Sequence, residues 1–223
     1  MNRDDKIPCK PIVLVTGFSK FPGAPINPTE SLIAWLLAED FSKLEADLHF
    51  HVFPTSYQVV DASLPEIKQA QAPDIVLHFG LAAEARGFRL EKIANSQIST
   101  TKPDVDGFTP NNCASEIATE QFSSSLPLDD LFTDLQELNL PVEFSEDAGG
   151  YLCNYLFYQT AGGKLGANAT QMCGFIHVTL LTEQKSVSKQ TSGFHLTQEQ
   201  LLTGARGIIE RCVSTWWHRY RST

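Results

Sequence analysis

The amino-acid sequence predicts an α/β layer fold built on a largely parallel sheet. Two short β-branched runs, residues 11–17 and 74–80, each end at glycine and have the length of strands buried on both faces. Stretches with apolar residues at helical spacing lie between and after them. A long helical pattern near the end opens on Thr197-Gln198-Glu199-Gln200, a capping box. Strands that alternate with helices stack as layers around a parallel sheet.

The first strand covers residues 11–17, and a loop with Pro22, Gly23 and Pro25 follows over residues 18–26. Asn27 is placed to cap a helix, with Pro28 at its first position and Glu30 set to reach back in a capping box. That helix carries Leu32, Ile33, Trp35, Leu36 and Leu37. Residues 48–53 alternate with histidines and read as a second strand, and residues 64–71 as a helix. The third strand is 74–80. Residues 99–126 form a long irregular excursion rich in Ser, Thr, Asn and Pro, of the kind that is often functional. Residues 129–140 have helical spacing, 142–144 form a short strand, and a helix follows Gly149-Gly150 from about Leu152. Residues 173–181 make the last strand. The closing helix buries a stripe from Leu201 to Trp216. There is no internal repeat.

The 223 residues fit one domain, taken here as 1–223. With 42% hydrophobic and 19% charged residues the chain has the makings of a core and is not disordered. Seventeen basic against 26 acidic residues leave a net charge of -9, which argues against nucleic acid or an anionic membrane as partner. Five cysteines without CxxC spacing fit a reducing compartment and no metal site. No apolar run has the length of a membrane span, so a soluble, cytoplasmic protein is expected. The acceptor pattern Asn168-Ala169-Thr170 is then a coincidence.

Open α/β sheets bind ligands beyond the carboxyl ends of their strands. Cys153 lies there, just past Gly149-Gly150 and at the start of a helix. Helix N-terminal amides favour a thiolate, and they can also hold an oxyanion. His177, in the last strand, shares a face with Phe175 and Thr179 and could take the thiol proton. A carboxylate would hold its ring, and Glu91 is one of several candidates that spacing does not separate. Taken singly, such a cysteine is more often a small core residue, and such a histidine a hydrogen-bonded strand residue. Cys173 and Cys212 sit in apolar patterns and read as core.

Together these residues resemble the pyroglutamyl peptidase I family of cysteine peptidases, also called pyrrolidone carboxyl peptidases. Val15-Thr16-Gly17-Phe18-Ser19-Lys20-Phe21 with Asn27-Pro28 is similar to the family's opening strand and loop. Asp147-Ala148-Gly149-Gly150-Tyr151-Leu152-Cys153-Asn154-Tyr155 resembles its nucleophile block, the most specific match. Gly174-Phe175-Ile176-His177-Val178 resembles its histidine strand, and Leu90-Glu91-Lys92-Ile93-Ala94 its acidic member. Glu, Cys and His stand in the family order, 62 and 24 positions apart. The likeness spans about residues 11–215.

The resemblance implies a three-layer α/β/α sandwich around a twisted, mixed sheet, often assembled into homotetramers. It implies cleavage of N-terminal pyroglutamate from small peptides without metal or cofactor. Cys153 would be the nucleophile, His177 the general base and acid, and Glu91 the partner that orients it. Phe18 and Phe21 would flank the lactam ring. Asn27, Thr55, Leu81, Tyr151 and Leu152 would line or support the pocket. Departures cluster in the opening loop, where Ser19, Lys20 and Pro22 replace the family pattern, at Glu30, and at Thr100 or Thr101, where bacterial members carry arginine. Two alternatives follow from these departures: a related cysteine amidase for another N-terminal group, or a non-catalytic member of the fold.

Overall fold

The structure, a computed structural model, describes residues 10–21, 24–99, 101–110, 120–166, 172–184 and 194–221. Cys9, Pro22, Gly23, Thr100, Cys113 and the Asn168 to Thr170 pattern lie outside the described residues.

Strand β1 (Ile12–Phe18) is buried on both faces, as its apolar run requires. Helix α1 (Pro28–Ala38) opens on Asn27, whose Oδ1 accepts the Thr29 amide at 3.1 Å, a cap worth about 1 kcal/mol. Glu30 does not close the expected capping box; its Oε2 accepts the Lys20 amide at 3.0 Å and ties the opening loop to α1 instead. Strand β2 (Asp47–Phe53) lies at the sheet edge. Helix α2 (Tyr57–Ala70) starts seven residues before the predicted boundary. Ser56 caps it through the Val59 amide, and Pro65 inside the helix had obscured its opening turns.

Strand β3 (Ile75–Leu81) matches expectation. Three short strands were not anticipated: β4 (Phe88–Glu91), β5 (Ile93–Asn95) and β6 (Gln121–Ser123). The last lies within the excursion that was read as irregular. Helix α3 (Leu128–Glu137) stops short of residue 140, because Asn139 turns to φ 55° and leaves Leu138 exposed. Strand β7 (Val142–Ser145) and helix α4 (Leu152–Ala161) follow. Strand β8 (Met172–Val178) ends three residues earlier than expected, before a single 3₁₀ turn at Thr182–Gln184. Helix α5 (Gln198–Arg221) opens on a reciprocal box: Gln200 N donates to Thr197 Oγ1 at 3.1 Å and Thr197 N donates to Gln200 Oε1 at 2.9 Å.

The main sheet runs β2-β1-β3-β8-β4-β7. Every pairing is parallel except β4 with β8, so the sheet is mixed and mostly parallel. Strands β5 and β6 form a separate antiparallel pair. Helices α1, α3 and α5 cover one face, where Val13, Val15, Phe79, Phe88 and Ile176 meet Leu32, Leu131 and Ile208. Helices α2 and α4 cover the other, where Leu14, Val76 and Phe175 meet Val60, Leu156 and Phe157. This is the α/β/α sandwich. Truncating a filled core position such as Phe88, fully buried, would cost roughly 3–5 kcal/mol. Among the described residues no helix is long and apolar enough to cross a membrane.

Candidate active site

Cys153 is the second residue of α4, in the helix's first turn, whose N-cap residue Tyr151 supplies no side-chain hydrogen bond to the opening amides. Asn154 fixes this turn. Its side chain accepts the Asn95 amide at 2.9 Å and donates to the Asn95 and Gln97 carbonyls at 2.8 and 3.1 Å. The helix is held further along by His78 of β3. This buried ring bonds Thr16 of β1 at 2.7 Å and Thr160 of α4 at 3.0 Å, and burial lowers its pKa to about 3, so it stays neutral.

Gly80 of β3 lies directly under the sulfur. A Cβ there would stand 2.9 Å from Cys153 Sγ and 2.6 Å from Phe175 Cζ. Only a residue without a side chain allows α4 to approach the sheet this closely. Gly80→Ala is expected to lower kcat/KM at least ~100-fold by displacing the sulfur, and stability by about 1–3 kcal/mol through overpacking. Steady-state rates and thermal melts read the two effects separately.

His177 of β8 faces Gly80 across the parallel pairing. Glu91 of β4 lies one step diagonal to it across the antiparallel pairing, which is what brings a carboxylate under the ring. His177 Nδ1 and Glu91 Oε1 are 2.7 Å apart, with the imidazole almost wholly buried and the carboxylate fully so. Glu91 Oε2 has no partner among the described residues. Burial alone would make His177 less basic. The charge and hydrogen bond of Cys153 outweigh this, Glu91 adds to them, and the pKa is pushed up to about 9. The three residues of the expected triad are therefore brought together.

The other expected residues lie at or just past the ends of β1, β2 and β3 and at the starts of α1 and α4. Phe18 ends β1 instead of lying in the loop; it is 3% exposed and packs on Phe53 with ring centroids 6.2 Å apart. Phe21 is half-buried and meets the Tyr151 ring at 6.2 Å. Asn27 is buried and already engaged, donating to the Ser19 carbonyl at 3.3 Å and accepting from Thr29, so it supports the loop. Thr55 is buried and points its hydroxyl at the same Ser19 carbonyl, at 3.5 Å. Leu81 ends β3, half-buried opposite Val178. Tyr151 and Leu152 directly precede Cys153, Tyr151 half-buried and Leu152 buried. Thr101 is exposed.

Two residues of the site were not anticipated. Asp104, inside the excursion, is buried and accepts the amides of Tyr57, Asp106 and Phe108 at 3.0, 2.9 and 2.9 Å. It thereby pins segment 103–108 onto the start of α2. Val105 N bonds the Thr55 carbonyl at 3.1 Å, and Tyr151 OH donates to the Pro103 carbonyl at 2.9 Å. Tyr57, the first residue of α2, is the other. Its place just after a strand end and an N-cap serine was the available signal, and Asp104 had none in the sequence. Among the described residues no three His, Cys, Asp or Glu side chains are grouped to hold a metal ion.

The pyroglutamyl peptidase family model matches residues 11–214. The chain belongs to this family. It is 34% identical over 186 residues to a pyrrolidone-carboxylate peptidase of Pyrococcus furiosus, covering 77% of this chain and 82% of that protein. A pyrrolidone-carboxylate peptidase of Brevibacillus brevis is 30% identical over 210 residues, covering 91% and 93%. The crystal structure of the P. furiosus pyrrolidone carboxyl peptidase superposes with a TM-score of 0.81 at 29% identity, over 92% of this chain and 99% of that one. Membership in the pyroglutamyl peptidase family agrees with the mixed sandwich described above.

Proposed function

We propose that the protein removes N-terminal pyroglutamate from peptides by acyl transfer to Cys153. One observation carries this reading: His177 is held between the Glu91 carboxylate and the Cys153 sulfur at a helix N-terminus. The Cys153 thiolate attacks the carbonyl of the pyroglutamyl residue, and the first-turn amides of α4 receive the oxyanion. Protonated His177 gives its proton to the departing amine. It then takes a proton from the water that cleaves the thioester, which frees pyroglutamate and the thiolate. Glu91 keeps the imidazole oriented and stabilises its positive charge.

The substrate has no charged amine at its end, so recognition needs a small neutral pocket with aromatic walls. Phe18, Phe21 and Tyr151 supply those walls, and Thr55, Leu81 and Leu152 supply its margins. A site built to pair a lactam rejects prolyl groups strongly. Hydrolysis of a fluorogenic pyroglutamyl amide, against prolyl and alanyl amides under reducing conditions, tests the reading. Cleavage of the pyroglutamyl amide alone is expected. Cleavage of another acyl-blocked amide instead would favour a related amidase, and an inert folded protein would sink the proposal.

The raised basicity of His177 sets the pH behaviour. The imidazolium is needed to protonate the leaving amine, so kcat/KM is expected to fall tenfold per pH unit above about 9. The same shift stabilises the fold. The contribution is complete below the unfolded histidine value of ~6.5 and is lost as pH rises through about 9. Rate profiles and melts across that window check both.

A further inference from the structure

The main sheet has two edges, and they are not alike. Strand β7, at one edge, is four residues long. Its Phe144 is stacked on Phe132 with ring centroids 4.6 Å apart, and Lys92 Nζ lies 4.9 Å over the same ring, so a lysine guards that short edge. Strand β2, at the other edge, runs for seven residues, Asp47-Leu48-His49-Phe50-His51-Val52-Phe53. It carries no proline, lysine or glycine, and its register with β1 is unbroken by any bulge. Asp47 N donates to the Pro11 carbonyl and Ser19 N to the Phe53 carbonyl, both at 2.9 Å. Every second residue of a parallel strand bonds the same neighbour, so 47, 49, 51 and 53 face β1. Leu48, Phe50 and Val52 therefore turn their N–H and C=O groups outward. Among the described residues no backbone partner takes these groups up. Such a row is a template for one more strand.

We infer that a second copy of this chain docks on this edge, the two β2 strands pairing antiparallel about a two-fold axis at Phe50. In that register β2 is its own complement. Phe50 meets Phe50, and Leu48 meets Val52 on either side of the axis. These are the outward residues, so each pair exchanges two backbone hydrogen bonds. Moving the axis to His49 or His51 would forfeit one of the three pairs. The side chains of Leu48, Phe50 and Val52 lie on the face that packs against the α1 and α5 core. On the other face His49 stands opposite His51, and Asp47 falls opposite Phe53, so no carboxylate meets its like. The same edge carries exposed apolar surface. Leu37 of α1 is 64% exposed and lines a groove with Phe41, Leu48 and Phe50. The two-fold axis sets that groove against its own copy, which covers Leu37. An unrelated extended peptide would satisfy the same amides, but only a second β2 brings the matching alternation and the matching groove.

The test uses the full chain. His49→Cys and His51→Cys proteins are oxidised separately and as a mixture, and mass spectrometry locates the disulfides. Positions 49 and 51 form a non-hydrogen-bonded pair across the axis, with Cα atoms about 4.5 Å apart, within disulfide range. Like positions lie on the diagonal, roughly 7–8 Å apart and outside it. The mixture is expected to give the 49–51 link at least ~10-fold above the 49–49 and 51–51 links. Leu37→Glu, a change at an exposed site, should cut the yield of that link ~10-fold by placing a carboxylate in the apolar contact. In the otherwise wild-type chain it should weaken self-association by a similar factor in sedimentation velocity, a reading that needs no change within β2. A 49–51 link no stronger than the like links, or association that Leu37→Glu leaves within twofold, would overturn the inference. So would a wild type that stays monomeric up to ~100 μM, which would leave the edge to an extended segment of another protein.

Discussion

Cys153→Ala is expected to abolish hydrolysis of the pyroglutamyl amide, lowering kcat by at least ~10,000-fold, while the protein still folds and its melting temperature falls only by what Cys153 contributes through His177. Cys153 is half-buried at the start of a helix, so its loss removes support for the His177 charge more than packing. Cys153→Ser is expected to fare little better, because a hydroxyl at this helix terminus ionises far less readily than a thiol. Selective alkylation gives an independent reading. Burial pushes the thiols of Cys173 and Cys212 up to about 12, so neither competes at neutral pH. Inactivation should therefore track modification of the Cys153 peptide one for one. Residual activity after complete modification there would remove Cys153 from the mechanism.

Glu91→Gln is expected to reduce kcat roughly 100- to 10,000-fold with little change in KM. The amide keeps the shape of the carboxylate but not its charge, and its nitrogen can offer the wrong partner to Nδ1. Glu91 helps raise the basicity of His177, so the alkaline limb of the rate profile should move to lower pH in the variant. A general loss of packing would not shift that limb, which separates orientation from stability. Wild-type kcat in Glu91→Gln would mean that His177 needs no anionic partner.

How far the sequence could be read depended on whether local pattern or distant pairing decided each element. Strands β1 and β3 are buried on both faces, so their apolar runs are unbroken and legible. The caps at Asn27 and Thr197 declare their helices within four residues. Strand β4 is the opposite case. Arg89 and Glu91 give it the look of a solvated face, yet Glu91 is fully buried, and Arg89 is paired with Glu143 at 2.7 Å on β7. Nothing within four residues announces that arrangement, because the partners stand 54 and 86 positions away. The same holds for Asp104, which reaches Tyr57 across 47 positions. Family likeness could select Glu91 where spacing could not, and it said nothing of the Asp104 to Tyr57 contact. In Glu30, a residue placed as a helix cap was taken by a neighbouring loop amide, a competition that local rules do not weigh.

The sheet order also bears on how the protein is made. Strand β8, among the last elements to leave the ribosome, belongs in the middle of the sheet, between β3 and β4. Until it inserts, β3 and β4 have no common neighbour, and Glu91 and Cys153 have no histidine between them. A nascent or truncated chain that ends before residue 172 thus holds two separate half-sheets and no proton shuttle. Peptide cleavage should appear only with the closing of the whole sheet, so the completed fold itself acts as the safety catch during synthesis.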